Sequence, residues 1–162
     1  MPTSSDQAVP LRCQFCGALN RTEAIGNGKE MSCDDCARPI LLDRPIKVSQ
    51  EDFDEIVLKA SVPVLVDFYA DWCVECKYME RDTFADRDVE AALSAVVLLR
   101  ADVTANDEVD QSLLRNFDLF GPPAILFFDP HGAEYRKLRV VGFVGPADFS
   151  AHITQLTGRR KL

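Results

Sequence analysis

All six cysteines of the chain fall into C-x-x-C pairs, Cys13/Cys16, Cys33/Cys36 and Cys73/Cys76, and none is left over. In a reducing compartment, such pairing means metal binding or dithiol redox chemistry rather than a structural disulfide framework. The residues around each pair decide which chemistry it serves.

Cys13 and Cys16 are followed by sixteen residues and then by Cys33 and Cys36, the C-x2-C-x15–20-C-x2-C spacing of four-thiolate zinc sites. Each pair makes a knuckle, and two knuckles set four sulfurs ~2.3 Å from one Zn2+ in a tetrahedron. From Leu11 to Asp43 there is no long helical or strand period, few large apolar residues and a turn signal at Gly26-Asn27-Gly28. Such a stretch cannot bury enough surface to fold unaided, so bound metal supplies folding energy in place of a core. Closed coordination by Cys13, Cys16, Cys33 and Cys36 leaves no open catalytic position, which makes the expected zinc structural, one per chain. The competing reading is two redox-active disulfides without metal.

At 162 residues the chain has room for one ordinary domain and a small appendage. No segment approaches the ~20 apolar residues of a membrane span, so no membrane association is expected. The formal charge of −8 repels polyphosphate. Residues 1–45 hold five Lys/Arg against six Asp/Glu, so a nucleic-acid-binding ribbon is not expected either. The opening MPTSSDQAVPLRC has no basic and then apolar secretory pattern, which predicts a cytoplasmic protein.

The chain divides into a disordered lead-in (1–10), a zinc ribbon (11–43), a linker at Arg44-Pro45 (44–48), an α/β domain (49–158) and a solvated tail (159–162). Ser49 reads as a helix cap, with Phe53, Ile56, Val57 and Ala60 on one face. Val62 to Tyr69 is a β-branched apolar run that suits a central strand buried on both faces. Helical segments follow through Phe84 and over Asp88–Ser94, then a strand over Val96–Val103. Glu108 to Phe117 reads as a helix with Val109, Leu113, Leu114 and Phe117 inward. After the break at Gly121-Pro122-Pro123 come a strand at Ala124–Phe128, a turn at Asp129–Gly132, a returning strand at Glu134–Val141 and a last helix over Pro146–Leu156. This order predicts a mixed sheet flanked by helices.

The third pair sits where the buried strand gives way to a helix. A cysteine at the helix start faces unsatisfied backbone N–H groups and the positive end of the helix dipole, which favours its thiolate. Cys73 is therefore the expected nucleophile. Cys76, one turn on, attacks a mixed disulfide formed at Cys73 and releases the reduced partner.

The segment Asp71-Trp72-Cys73-Val74-Glu75-Cys76-Lys77, the element order and the proline before a late strand resemble the thioredoxin family. Asp67–Lys77, Thr83-Phe84, Ala101–Asp107, Ile125–Asp129 and Gly142-Phe143 are most similar to the C-terminal thioredoxin-like domain of DsbD-type thiol:disulfide interchange proteins. Cys13-Gln14-Phe15-Cys16-Gly17-Ala18-Leu19-Asn20-Arg21 resembles the zinc ribbon of one bacterial thioredoxin class. The resemblance implies a thioredoxin fold and a protein-disulfide reductase without organic cofactor. Its partners would be disulfide-containing proteins and an upstream reductase or dithiol donor. It further implies that Asp67 moves protons for Cys76, that Pro123 is a cis-proline facing the dithiol, and that Trp72, Pro122, Pro123 and Gly142 line the client site. Three departures stand out: Val74-Glu75 between the cysteines where thioredoxins carry Gly-Pro, a second proline, Pro122, before Pro123, and Ala124 in place of the usual Thr.

Asp67 interrupts an apolar strand, where an isolated carboxylate is costly and its pKa rises; a hydrogen-bonded structural role is the plainer alternative. Arg100 pairs with it only if it points inward, and a solvent-facing Arg is the expectation. His131 and His152 are given no catalytic role. Two further readings remain open at this level: a client-binding module or redox-regulated holdase, and an electron relay dedicated to one partner.

Overall fold

The structure, a computed structural model, describes residues 9–13, 15–22, 31–40, 46–47, 50–60 and 62–158. Two antiparallel hairpins open the chain, β1 (Val9–Arg12) with β2 (Leu19–Thr22) and β3 (Met31–Ser32) with β4 (Pro39–Ile40). A short strand β5 (Ile46–Lys47) and helix α1 (Gln50–Lys59) lead into β6 (Val64–Tyr69). After it come α2 (Val74–Tyr78), a π-helical segment (Met79–Phe84), α3 (Arg87–Leu93), β7 (Val97–Asp102), α4 (Glu108–Asn116), β8 (Ala124–Phe128), β9 (Val140–Val141) and α5 (Pro146–Gly158). The five-stranded sheet runs β5-β7-β6-β8-β9, with β5 and β6 parallel to β7 and β8 antiparallel to β6 and β9. This is the thioredoxin fold.

Alternation along β6 explains the two cores. Val64, Val66 and Phe68 point to one face, where they meet Phe53, Ile56 and Val57 of α1 and Leu113 and Leu114 of α4. Leu65 points to the other, toward Met79, Val89, Phe149 and Ile153. With both faces covered, β6 is buried over Val64–Phe68, so the loops at its C-terminal end stand on a well-packed base.

Several sequence expectations change. The lead-in is shorter than residues 1–10, because Val9 and Pro10 already belong to β1 and Pro10 is buried; residues 1–8 lie outside the described residues. The expected linker contributes β5 to the sheet edge, while 44, 45, 48, the Ser49 cap and the tail 159–162 lie outside the described residues. The returning strand is reduced to a bridge at Glu134 and the two residues of β9, because Arg136–Leu138 winds into a 3-10 turn that drops Leu138 into the second core. An Arg139–Glu134 ion pair closes that loop. Val109 is not inward: it lies in the first turn of α4, beyond the edge of the core, and is 59% exposed.

The N-terminal hairpins are not a separate bead. Leu11 of β1 is fully buried in the core built around α1, and the Arg12 guanidinium pairs with Asp52 on that helix. Truncating a fully buried leucine costs about 2–5 kcal/mol in transfer and cavity terms. We therefore expect Leu11→Ala to lower the melting temperature of the main domain, read by calorimetry on the full chain. A main transition that does not move would show that β1 folds independently of the sheet.

Candidate active site and metal centre

Cys73 and Cys76 are joined as a disulfide with Cα atoms 5.3 Å apart. Cys73 is the N-cap of α2, with extended backbone, and its sulfur accepts from the Cys76 amide at 3.1 Å. This is the helix-start geometry that stabilises a thiolate. Both sulfur-bearing residues are buried, Cys73 at 6% exposure and Cys76 at 2%, so Cys73 is the more open to a partner.

The loops around the pair are pinned. Thr104, which follows β7, accepts from the Trp72 indole Nε1 through its carbonyl and from the Asp71 amide through Oγ1, both at 3.0 Å. Trp72 is held in place yet 55% exposed. On the other side of β6, the Pro122–Pro123 peptide bond is cis, and Gly142, at φ +86°, donates its amide to the Pro123 carbonyl at 3.0 Å. Glycine suits that left-handed position because it carries no Cβ. The chain after Gly142 is tied down from the π-helical segment: Thr83 Oγ1 donates to the Val144 carbonyl at 2.6 Å and the Val144 amide approaches Met79 Sδ at 3.3 Å. These tethers carry no motif of their own and were not legible in the sequence, apart from Thr83-Phe84 and Thr104 falling within the resembling stretches.

Asp67 faces the same side of the sheet as Leu65, toward the core that holds Met79 of the π-helical segment. Register sets its partner: Asp67 of β6 stands opposite Arg100 of β7. Arg100 Nη2 and Nε approach Asp67 Oδ2 at 3.1 and 3.2 Å, and Nη1 reaches Glu80 Oε1 at 2.7 Å. The guanidinium also lies over the Tyr69 ring, 4.4 Å from its centroid. Arg100 thus points inward, contrary to the expectation of a solvent-facing side chain, because two carboxylates and a ring satisfy it there. Burial pushes the Asp67 carboxyl up to about 6; Arg100 opposes that rise and Glu80 adds to it.

The first two cysteine pairs form two copies of one knuckle. The Cys13 amide donates to Ala18 O and the Gly17 amide to Cys13 O, and twenty residues on Cys33 and Ala37 repeat the pattern with Arg38 O and Cys33 O. Each knuckle needs a left-handed residue after its second cysteine, Gly17 at φ +77° and Ala37 at φ +58°. The sulfurs of Cys13, Cys16, Cys33 and Cys36 all lie within 4.8 Å of one another, and the cross pairs Cys13–Cys36 and Cys16–Cys33 are 3.6 Å apart. Adjacent sulfurs in a tetrahedron of ~2.3 Å bonds would stand about 3.8 Å apart, so the donor set fits a zinc ion. Amides of Cys36 and Asp35 and the Asn20 side chain bring the Cys33 thiol down to about 6, although burial opposes this. Asn20 is itself buried and accepts from the Asp34 amide at 2.9 Å, so it bolts one knuckle to the other. The sequence offered Asn20 only as part of a resembling stretch.

An acid whose pKa is raised on folding destabilises the native state above that value and has no effect below its unfolded value of 3.8. Asp67→Asn should accordingly be more stable than the parent at pH 8, by on the order of 1–3 kcal/mol, with the gain fading as pH falls from about 6 to about 4. Denaturant unfolding at several pH values checks this, and a difference independent of pH would contradict it.

Comparisons with known proteins agree with this geometry. A family model described as thioredoxin-like matches residues 55–130. The chain is 50% identical over 125 residues to the thiol:disulfide interchange protein DsbD of Ralstonia nicotianae, covering 75% of this chain and 20% of that protein. To DsbD of Escherichia coli K12 it is 47% identical over 108 residues, covering 67% and 19%. The chain therefore spans about a fifth of the length of these curated relatives. Among solved structures, the reduced C-terminal domain of Neisseria meningitidis DsbD matches at 32% identity and a TM-score of 0.55, over 66% of this chain and 92% of that domain. With a joined C-x-x-C at a helix start and near-complete coverage of that domain, the chain belongs to the thioredoxin-like family, among the relatives of the DsbD C-terminal domain.

Proposed function

We propose that the chain reduces disulfides in client proteins by cycling Cys73 and Cys76 between dithiol and disulfide. The observation that carries this reading is the Cys73–Cys76 pair at the start of α2, with the Cys76 amide aimed at the Cys73 sulfur. In the reduced protein the Cys73 thiolate attacks one sulfur of a client disulfide. A Cys73–client bond forms, the client S–S bond breaks, and the departing client sulfur takes a proton. Cys76 gives its proton to the Asp67 carboxylate and attacks the Cys73 sulfur. The Cys73–Cys76 bond forms, the mixed disulfide breaks, and the second client sulfur leaves reduced. Two electrons have passed to the client, and an upstream reductase or dithiol donor returns two to the protein.

The placement of the surrounding residues supports this reading. Asp67, at about 6, is largely ionised at neutral pH and can accept the proton. Trp72 offers an exposed apolar surface beside the nucleophile. Pro122, the cis Pro123 and Gly142 form the opposite lip, where an extended client segment would run along the free edge of β9.

The four remaining cysteines hold one structural Zn2+ in this reading. Support comes from the thiol donor set, its compact spacing and the amides aimed at its sulfurs. When bound, the ion would fix the two hairpins by closed tetrahedral coordination and leave client chemistry to the other pair. Four reduced zinc thiols suit a reducing, cytoplasmic setting. Among the described residues, no helix is long and apolar enough to cross a membrane.

Purified reduced protein is expected to reduce insulin disulfides, Cys73→Ser to abolish this, and Cys76→Ser to accumulate a client mixed disulfide; an active Cys73→Ser protein would refute the assignment. Metal analysis should give one zinc per chain, unchanged in the Cys73→Ser/Cys76→Ser double variant, and chelation should lower the melting temperature. Ribbon cysteines recovered from cells as disulfides would overturn both the zinc site and the reducing compartment.

A further inference from the structure

We infer that the dithiol face selects client segments with lysine or arginine flanking the disulfide, and that Glu75 is a principal determinant of this choice. The inference rests on the disulfide-reductase reading and adds a substrate class to it.

Four segments meet at one end of the sheet. The dithiol loop follows β6, the 103–107 loop follows the parallel β7, and register places Pro123 just before Ala124 of β8 and Gly142 just after Val141 of β9. Because the order is β7-β6-β8-β9, the 103–107 loop and the Pro123–Gly142 lip flank the dithiol on opposite sides. A client disulfide reaching Cys73 must pass between them.

Both flanks are acidic. On the β7 side, the Thr104 bonds to Trp72 and Asp71 hold the loop against the dithiol, and exposed Asp71, Asp107 and Glu108 stand there, Glu108 sharing its charge with Arg115 at 2.9 Å. On the other side, the exposed Glu75 carboxylate reaches across from α2 until its Oε2 lies 3.8 Å from where a Cβ on Gly142 would be. Glu75 has no ion-pair partner among the described residues. Within residues 71–77, 102–110, 120–123 and 141–145 the sequence contains one basic residue, Lys77.

The same end is apolar between its charges. Trp72 is 55% exposed, Val141 70% and Phe120 wholly so, with Val74 and Phe143 also exposed. Exposed apolar groups collected around a reactive centre mark a contact surface. Set among exposed carboxylates, of which Glu75 has no ion-pair partner among the described residues, they fit an extended segment with apolar side chains and positive charge. A second copy of this chain is disfavoured, since both copies carry −8 and would present acidic faces to each other.

The test uses the reduced full-length protein and two disulfide-bonded peptides of identical core, one flanked by lysines and one by glutamates, with reduction followed by thiol release. The lysine peptide should react faster, and raising salt from about 0.02 M to about 0.5 M should largely erase the difference. Glu75→Gln should lower the lysine-to-glutamate rate ratio by about two- to fivefold, the range of a rim charge pair, and adding Glu108→Gln should lower it further. The ratio is the readout because any effect of Glu75 on the thiolate itself would change both peptides alike. Equal rates for the two peptides, or a ratio unmoved by both substitutions, overturns charge selection and leaves the reductase reading intact. Failure to reduce either peptide, with insulin also untouched, removes that reading and the selection with it.

Discussion

A carboxylate in the middle of a strand buried on both faces is the constraint around which the centre is arranged. Left alone, Asp67 would face a desolvation cost that no hydrogen bond offsets. Its registered neighbour Arg100 supplies the counter-charge, and Glu80 and Tyr69 in turn satisfy the guanidinium. Strand pairing, the π-helical segment and the end of β6 are thereby tied to one guanidinium. The pairing is incomplete compensation, because the carboxyl still sits at about 6 rather than in the ordinary range. A group so poised exchanges protons near neutrality, which a fully neutralised ion pair would not do.

Much of this was legible in the sequence because the signals were local. The VPVLVDFY run announced a central strand, the C-x-x-C after it a helix-start dithiol, and the doubled spacing a four-sulfur cluster. What escaped was set by tertiary register or by single contacts. Arg100 looked like a surface residue, since nothing in Val97–Asp102 reveals that its neighbour across the ladder is an acid. The strand expected over Glu134–Val141 failed because Leu138 gains more from entering the core than the backbone gains from continuing the ladder. Val109 has the right helical phase but lies one turn beyond the apolar layer. The tethers of Thr83, Met79 and Thr104 bind side chains to distant backbone, a relation that periodicity does not encode.

The two cysteine knuckles, built alike twenty residues apart, differ in the residue that makes the left-handed turn. Gly17 adopts it freely, whereas Ala37 holds it at a conformational cost of about 1 kcal/mol. The cluster compensates with shared contacts, chiefly the buried Asn20 that spans both halves.

Leu11 gives the hairpins a wider meaning. Its side chain is a stone in the arch of the catalytic body, set into the same core as Phe53 and Ile56 while its neighbours in sequence lead to the cysteine cluster. Cutting the chain ahead of the linker would therefore not deliver a smaller intact enzyme but one with a socket open to water on α1. The two parts are not interchangeable cassettes, because the hairpin that leads to the cysteine cluster and the body that holds Cys73 and Cys76 share one core.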